Sequence, residues 1–106
     1  MSDAMWSFME FVGWLQAKSK VLERAGVVIE LEVNSDIQPS VRLRAERDSS
    51  LAELTVWDDG TAHMAVVSLQ SGDFVFEQDG MSLANNSWEI KLEGFFSYLT
   101  SDVAKP

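Results

Sequence analysis

The chain has 106 residues, 17 acidic and 8 basic, for a net charge of −9, and no cysteine. That length fits one domain, residues 1–106, and at 46% hydrophobic the chain is too apolar for wholesale disorder. The charge balance argues against nucleic acid and anionic membranes as partners and favours a basic protein, while the missing thiols exclude disulfide frameworks, thiolate zinc sites and cysteine nucleophiles.

The opening stretch MSDAMWSFMEFVGWLQAKSK lacks the basic start and the cleavage site of a signal peptide. Glu10 and Gln16 interrupt its apolar residues too early for a bilayer span. The expectation is a cytoplasmic protein. Residues 4–25 predict a helix, capped by Ser2 or Asp3 and closed by Gly26 as the left-handed residue after its end. Met5, Phe8, Met9, Val12, Leu15 and Leu22 recur at three- and four-residue spacing. Trp6, Phe11 and Trp14 widen that stripe beyond one face, so one ring is expected to be left for a second copy or a partner.

Residues 27–33 (VVIELEV) alternate, with Val27, Ile29, Leu31 and Val33 on one side and Glu30 and Glu32 on the other. NSDIQP reads as a loop. Residues 41–46 alternate again, with Arg42 and Arg44 outward, and a cross-strand charge ladder of Glu30 and Glu32 with Arg42 and Arg44 is expected. Residues 51–57 place Ala52, Leu54 and Val56 inward and Glu53, Thr55 and Trp57 outward. Asp58-Asp59-Gly60 is a tight hairpin signal. Residues 61–69 and 73–77 predict two further strands across a QSG turn, with Phe74 and Phe76 sharing the core face. Gln78-Asp79-Gly80 reads as another turn, with a short sixth piece at Met81–Leu83. A second helix follows, its capping box drawn from Asn86 and Glu89 and its stripe from Trp88, Leu92, Phe95, Phe96 and Leu99. The tail through Lys105-Pro106 reads as frayed. The fold expected is α+β: an N-terminal helix, an antiparallel meander of four to six strands and a C-terminal helix, both helices on one face of the sheet.

Catalytic chemistry finds little support. The lone His63 sits by a hairpin and reads as a surface residue. There is no GxSxG elbow, no His-x-x-x-His pair and no twelve-residue calcium loop. The glycines match turns, caps and helix contacts rather than a phosphate cradle. Asp58-Asp59 is more simply a turn than an acid/base pair. The expectation is a protein that is not an enzyme and holds no cofactor or metal. What remains is a surface. Trp57 stands beside Glu53, Asp58 and Asp59, and an aromatic ring among charges is a recurrent make-up of binding hot spots. The plainer alternative is that Trp57 covers the sheet or lies under a loop. Glu30, Glu32, Asp73 and Glu77 complete the candidate partner-binding set.

Two stretches, LTVWDDGTAHMAVVSLQSGDFVFEQDG and WEIKLEGFFSYL, carry a resemblance. A strand, W-x-x-G, a strand, then SGD-hydrophobic-x-F-E and a terminal helix with a double Phe are similar to the small immunity proteins of bacterial polymorphic toxins. Among these it resembles the TriTu-like immunity proteins, paired with Rhs-type ADP-ribosyltransferase toxins. The resemblance spans about residues 27–100. It implies a cytoplasmic antitoxin that binds the C-terminal toxin domain of a large secreted protein and occludes its active site or substrate surface. An acidic monomer in a one-to-one complex would suit a basic cleft. Two other readings stay open. One is a secretion chaperone, dimeric through the first helix, although such chaperones usually carry a helix between their strands. The other is a small-molecule-binding domain with a pocket between sheet and helices.

Overall fold

The computed structural model describes residues 6–35, 37–47, 49–84 and 88–100. Helix α1 (Phe8–Arg24) leads into strands β1 (Val28–Asn34), β2 (Ser40–Arg47), β3 (Ser50–Trp57), β4 (Thr61–Ser68) and β5 (Phe74–Ser82), and helix α2 (Trp88–Thr100) follows. The strands form one antiparallel sheet in the order β1-β2-β3-β4-β5, a meander. This is the expected α+β arrangement, with five strands.

Helix α1 starts at Phe8 rather than at residue 4. Ser7 is the cap, its hydroxyl accepting from the Glu10 amide at 3.2 Å. Ser7 and Glu10 have the spacing of a capping box, which sets the start in a place the apolar periodicity alone does not mark. The predicted caps Ser2 and Asp3, and Met5, lie outside the described residues, as do Asn86 of the second capping box and the tail after Thr100. At the other end Gly26 adopts φ 96°, its amide donates to Glu23 O and the Val27 amide donates to Leu22 O. That pair of bonds is a Schellman motif, and its flanking apolar residues, Leu22 and Val27, are both buried. The helix therefore turns directly into β1.

One face of the sheet and the inner faces of both helices make the core. Val41 and Leu43 from β2, Leu54 and Val56 from β3, and Met64 and Val66 from β4 meet Phe11, Leu15 and Leu22 of α1 and Leu92, Phe95 and Leu99 of α2. Full burial of each large apolar side chain contributes roughly 1.5–3 kcal/mol. Ser19 is the buried polar residue on the α1 stripe, and its hydroxyl donates to Leu15 O at 2.9 Å. Met9, expected in the stripe, is 75% exposed, since the helix turns that residue away from the sheet.

Three further expectations are corrected. Trp6, Phe11 and Trp14 leave no ring apart. Phe11 is fully buried, with the Trp6, Trp14 and Trp88 rings 5.6, 5.9 and 5.2 Å from it. Trp6 precedes the helix, so it is not bound by helical spacing and reaches the same cluster. Gln78-Asp79-Gly80 is not a turn, and Met81–Leu83 adds no sixth strand. β5 runs on through a bulge, with Ala62 opposite Met81 and Met64 opposite Gln78, so that His63 faces both Asp79 and Gly80. Gly80 has φ 72°, the left-handed residue such a bulge uses. Finally, Phe74 and Phe76 lie on opposite faces. Phe76 pairs with Val66 and Phe74 with Val67, and the extra residue Val75 between them flips the alternation. Phe76 packs toward Phe95, while Phe74 is 58% exposed.

Candidate protein-binding face

Among the described residues neither helix covers the second face of the sheet, and the register decides what stands on it. Glu30 lies opposite Arg44 and Glu32 opposite Arg42, while Arg44 lies opposite Glu53 on its other side. The side chains follow. Arg42 reaches Glu32 at 3.1 Å and Glu53 at 3.7 Å, and Arg44 reaches Glu53 at 3.9 Å and Glu30 at 4.0 Å. The expected charge ladder forms, with Glu53 shared between both guanidinium groups. These pairs are solvent-exposed, so each contributes only about 0–1 kcal/mol. They place each guanidinium between carboxylates of both neighbouring strands. Glu77 stands opposite Ala65, which in turn stands opposite Glu53, and so continues one row of the same face.

The β3–β4 hairpin closes one end of this face. Gly60 takes φ 91° and donates its amide to Trp57 O at 2.9 Å. A Cβ at Gly60 would sit 2.8 Å from that of Ala84, so the turn needs glycine twice over, for its conformation and for the close approach. The tip is tied to three other segments: Asp58 N donates to Pro39 O, Leu83 N donates to Gly60 O, and the Trp6 indole donates to Asp58 O at 2.8 Å. The two carboxylates at the tip project into solvent. Asp59 Oδ1 accepts from Thr61 N at 2.9 Å, and this bond from the Thr61 backbone, with one from its side chain, holds the Asp59 carboxyl below its ordinary value.

Between the ladder and the hairpin lies a shallow concavity of about 410 Å³. Trp57 and Thr55 form part of its wall, and Glu32, Arg42, His63 and Asp79 bring charge or a polar ring to it. The bulge at Gly80 aims Asp79 at His63, whose Nδ1 lies 3.0 Å from Asp79 Oδ1. Among the described residues, no group of three or more His, Asp or Glu converges in the manner of a metal site. No helix among them is long and apolar enough to cross a membrane. What the face presents is paired charge, one half-buried tryptophan, and an acidic rim.

The family model of immunity protein TriTu matches residues 9–98, a span that takes in the whole sheet and most of both helices. The chain belongs to the TriTu immunity-protein family. No curated protein matches it. Membership gives the chain an immunity-protein role, and with that role a toxin as its protein partner. The match also reaches through α1, beyond the 27–100 span in which the sequence carries the resemblance.

On this TriTu-family protein the sequence-nominated residues divide into three places. Glu30, Glu32, Glu53 and Glu77 share the uncovered face, and Trp57 joins them at its edge, opposite Ser40. Asp58 and Asp59 form the hairpin tip beside Trp57. Asp73 is apart from these, in the β4–β5 turn at the opposite end of the sheet, where its carbonyl accepts from Ser68 N. Sequence reasoning passed over His63, Asp79 and Thr55, which share the concavity with Trp57. The outward alternation of Thr55 with Trp57 marks the first of these. The bulge that unites the other two has no marker beyond a glycine.

Proposed function

We propose that this protein is a cytoplasmic antitoxin, acting as one unit over residues 1–106, that binds in a one-to-one complex the C-terminal toxin domain of a secreted Rhs-type polymorphic toxin. In this reading it occludes the active site or substrate surface of an ADP-ribosyltransferase. The observation that carries the reading is the uncovered sheet face of a TriTu-family chain, where Trp57 and a rigid carboxylate tip border an ordered charge ladder. A tip tied at three points loses little entropy on binding, and its charge speeds encounter with a basic cleft. Trp57 is the anchor, Asp58 and Asp59 steer, and Glu30, Glu32, Glu53 and Glu77 set register. Asp73, at the far end, serves only a partner that spans the sheet.

The test begins with a tagged pull-down from the native bacterium and mass spectrometry of what is bound. Recovery of one large toxin through its C-terminal domain supports the reading. With that domain purified, Trp57→Ala is expected to weaken the complex by about 2 kcal/mol or more, roughly thirtyfold. Asp58→Lys with Asp59→Lys is expected to slow association and flatten its salt dependence. Unchanged affinity and salt response in both variants would remove this face as the interface. Recovery of several secreted effectors would point to a chaperone, and a complex that leaves ADP-ribosyl transfer untouched would end the inhibition reading.

A further inference from the structure

We propose that β1 is a strand-addition edge: an extended segment of the toxin partner, with Lys or Arg alternating with apolar residues, adds to the sheet beside Val28–Asn34. This rests on the toxin-binding reading above and says how, and with which part of the partner, contact is made.

The two edges of the sheet differ. β5 is interrupted twice, between Ala62 and Met64 and between Val66 and Val67 of its neighbour, and bulges spoil an edge as a template for another strand. β1 pairs with β2 through seven consecutive partners, Val28 with Glu46 to Asn34 with Ser40, with no irregularity. It is an edge of regular register and ordinary strand length, and among the described residues no strand lies beyond it in the sheet order.

The side chains on that edge specify what it would take. Across β3, β2 and β1 the uncovered face runs carboxylate, guanidinium, carboxylate: Glu53, then Arg42 and Arg44, then Glu32 and Glu30. The ladder ends on β1 in two carboxylates whose side chains are 66% and 75% exposed. The next strand continues the alternation if it places basic residues there, the favourable cross-strand pairing. On the opposite side of β1, Ile29 and Leu31 floor an open groove of about 400 Å³ beside α1, rimmed by Gln16, Lys20 and Glu23. Residues alternating with the basic ones would drop into this groove, so they must be apolar. A second copy of the chain does not satisfy the same edge. Antiparallel β1–β1 pairing centred on Leu31 sets Glu30 against Glu32 twice, and like charges directly opposite are destabilising. The edge therefore selects a different, basic strand, and the net charge of −9 draws it in.

The test uses synthetic ten-residue peptides with the full-length protein. One alternates Lys and Val, one alternates Glu and Val, and one repeats Lys-Val with alternate backbone nitrogens methylated, which removes the strand hydrogen bonds and keeps the side chains. Amide NMR shifts and hydrogen exchange report where each binds. The expected result is that Lys-Val perturbs Val28–Asn34 and slows exchange there, that Glu-Val does not, and that methylation abolishes the effect. Glu30→Gln with Glu32→Gln should weaken Lys-Val binding about tenfold, and Glu30→Lys with Glu32→Lys should weaken it further. The milder pair guards against loss of fold in the charge reversal. Equal binding of the methylated peptide, or shifts confined to the Trp57 concavity or to β5, would overturn the proposal. Hydrogen exchange on the toxin complex separates it from the reading beneath it. A bound toxin that leaves β1 amides unprotected sinks strand addition alone, whereas a toxin that fails to bind sinks the antitoxin reading.

Discussion

The sheet has two halves built in different ways. From β1 to β3 the pairing is uninterrupted, so every side chain falls on the face its position in the strand assigns. That regularity lets two arginines each meet carboxylates from both neighbouring strands. From β4 to β5 the register breaks twice, and each break re-aims a side chain. One sets Asp79 against His63, and the other turns Phe74 outward while Phe76 stays with the core. An unbroken ladder holds a pattern of charge, whereas a bulged one places single groups where alternation would not. The proposed binding face of this immunity protein draws on both.

The β3–β4 hairpin joins the halves, and breaking it should cost most. Gly60→Ala meets both a left-handed backbone and the Ala84 methyl, and is expected to destabilise by about 2–4 kcal/mol in denaturant unfolding. Gly80→Ala isolates the bulge. Its φ is 72° but no atom lies within 4 Å of the added Cβ, so only backbone strain is added, about 1–2 kcal/mol. The sharper readout is local: His63 ring shifts should move as its contact with Asp79 is disturbed, while the amide spectrum of β1 and β2 stays as it was. In the regular half, Glu53→Gln removes the carboxylate shared by Arg42 and Arg44 and should cost about 0.2–1 kcal/mol at low salt, fading as salt is raised. The smallest effect is at Asp59. Its carboxyl is held below the ordinary value, so its contribution to the hairpin is complete above about pH 4 and is lost as pH falls through the lowered folded value. An NMR titration should show the Thr61 amide following the Asp59 carboxyl in acid, and Asp59→Asn should remove that step.

The same division explains what could be read from the residues beforehand. Glu30, Glu32, Arg42, Arg44, Glu53 and Trp57 were legible because period-two alternation holds where register is unbroken. Gly80 was not, because a glycine after polar residues is the same signal whether the chain turns or bulges. Phe74 was misplaced by the one residue that Val75 adds. At the helix start, the apolar stripe continued past the true end, and the Ser7–Glu10 pair carried the boundary instead. The grouping of the candidate partner-binding residues depends on turns at opposite ends of a meander, and that is why Asp73 stands apart from Asp58 and Asp59.

The tie from the Trp6 indole to the carbonyl of Asp58 spans 52 positions of the chain, whereas every strand pairs only with its sequence neighbours. Closing short loops is entropically cheap and fast, while a contact of such separation waits on the rest. The meander can therefore assemble hairpin by hairpin with its apolar face still bare, and the third tie on the hairpin tip forms only once the segment around Trp6 has docked across it. That face waits longer still, for α2 follows the sheet in the chain and its Leu92, Phe95 and Leu99 complete the core. The acidic tip thus gains its last tie late, and the proposed recognition surface is complete only when the segment around Trp6 and helix α2 have both docked.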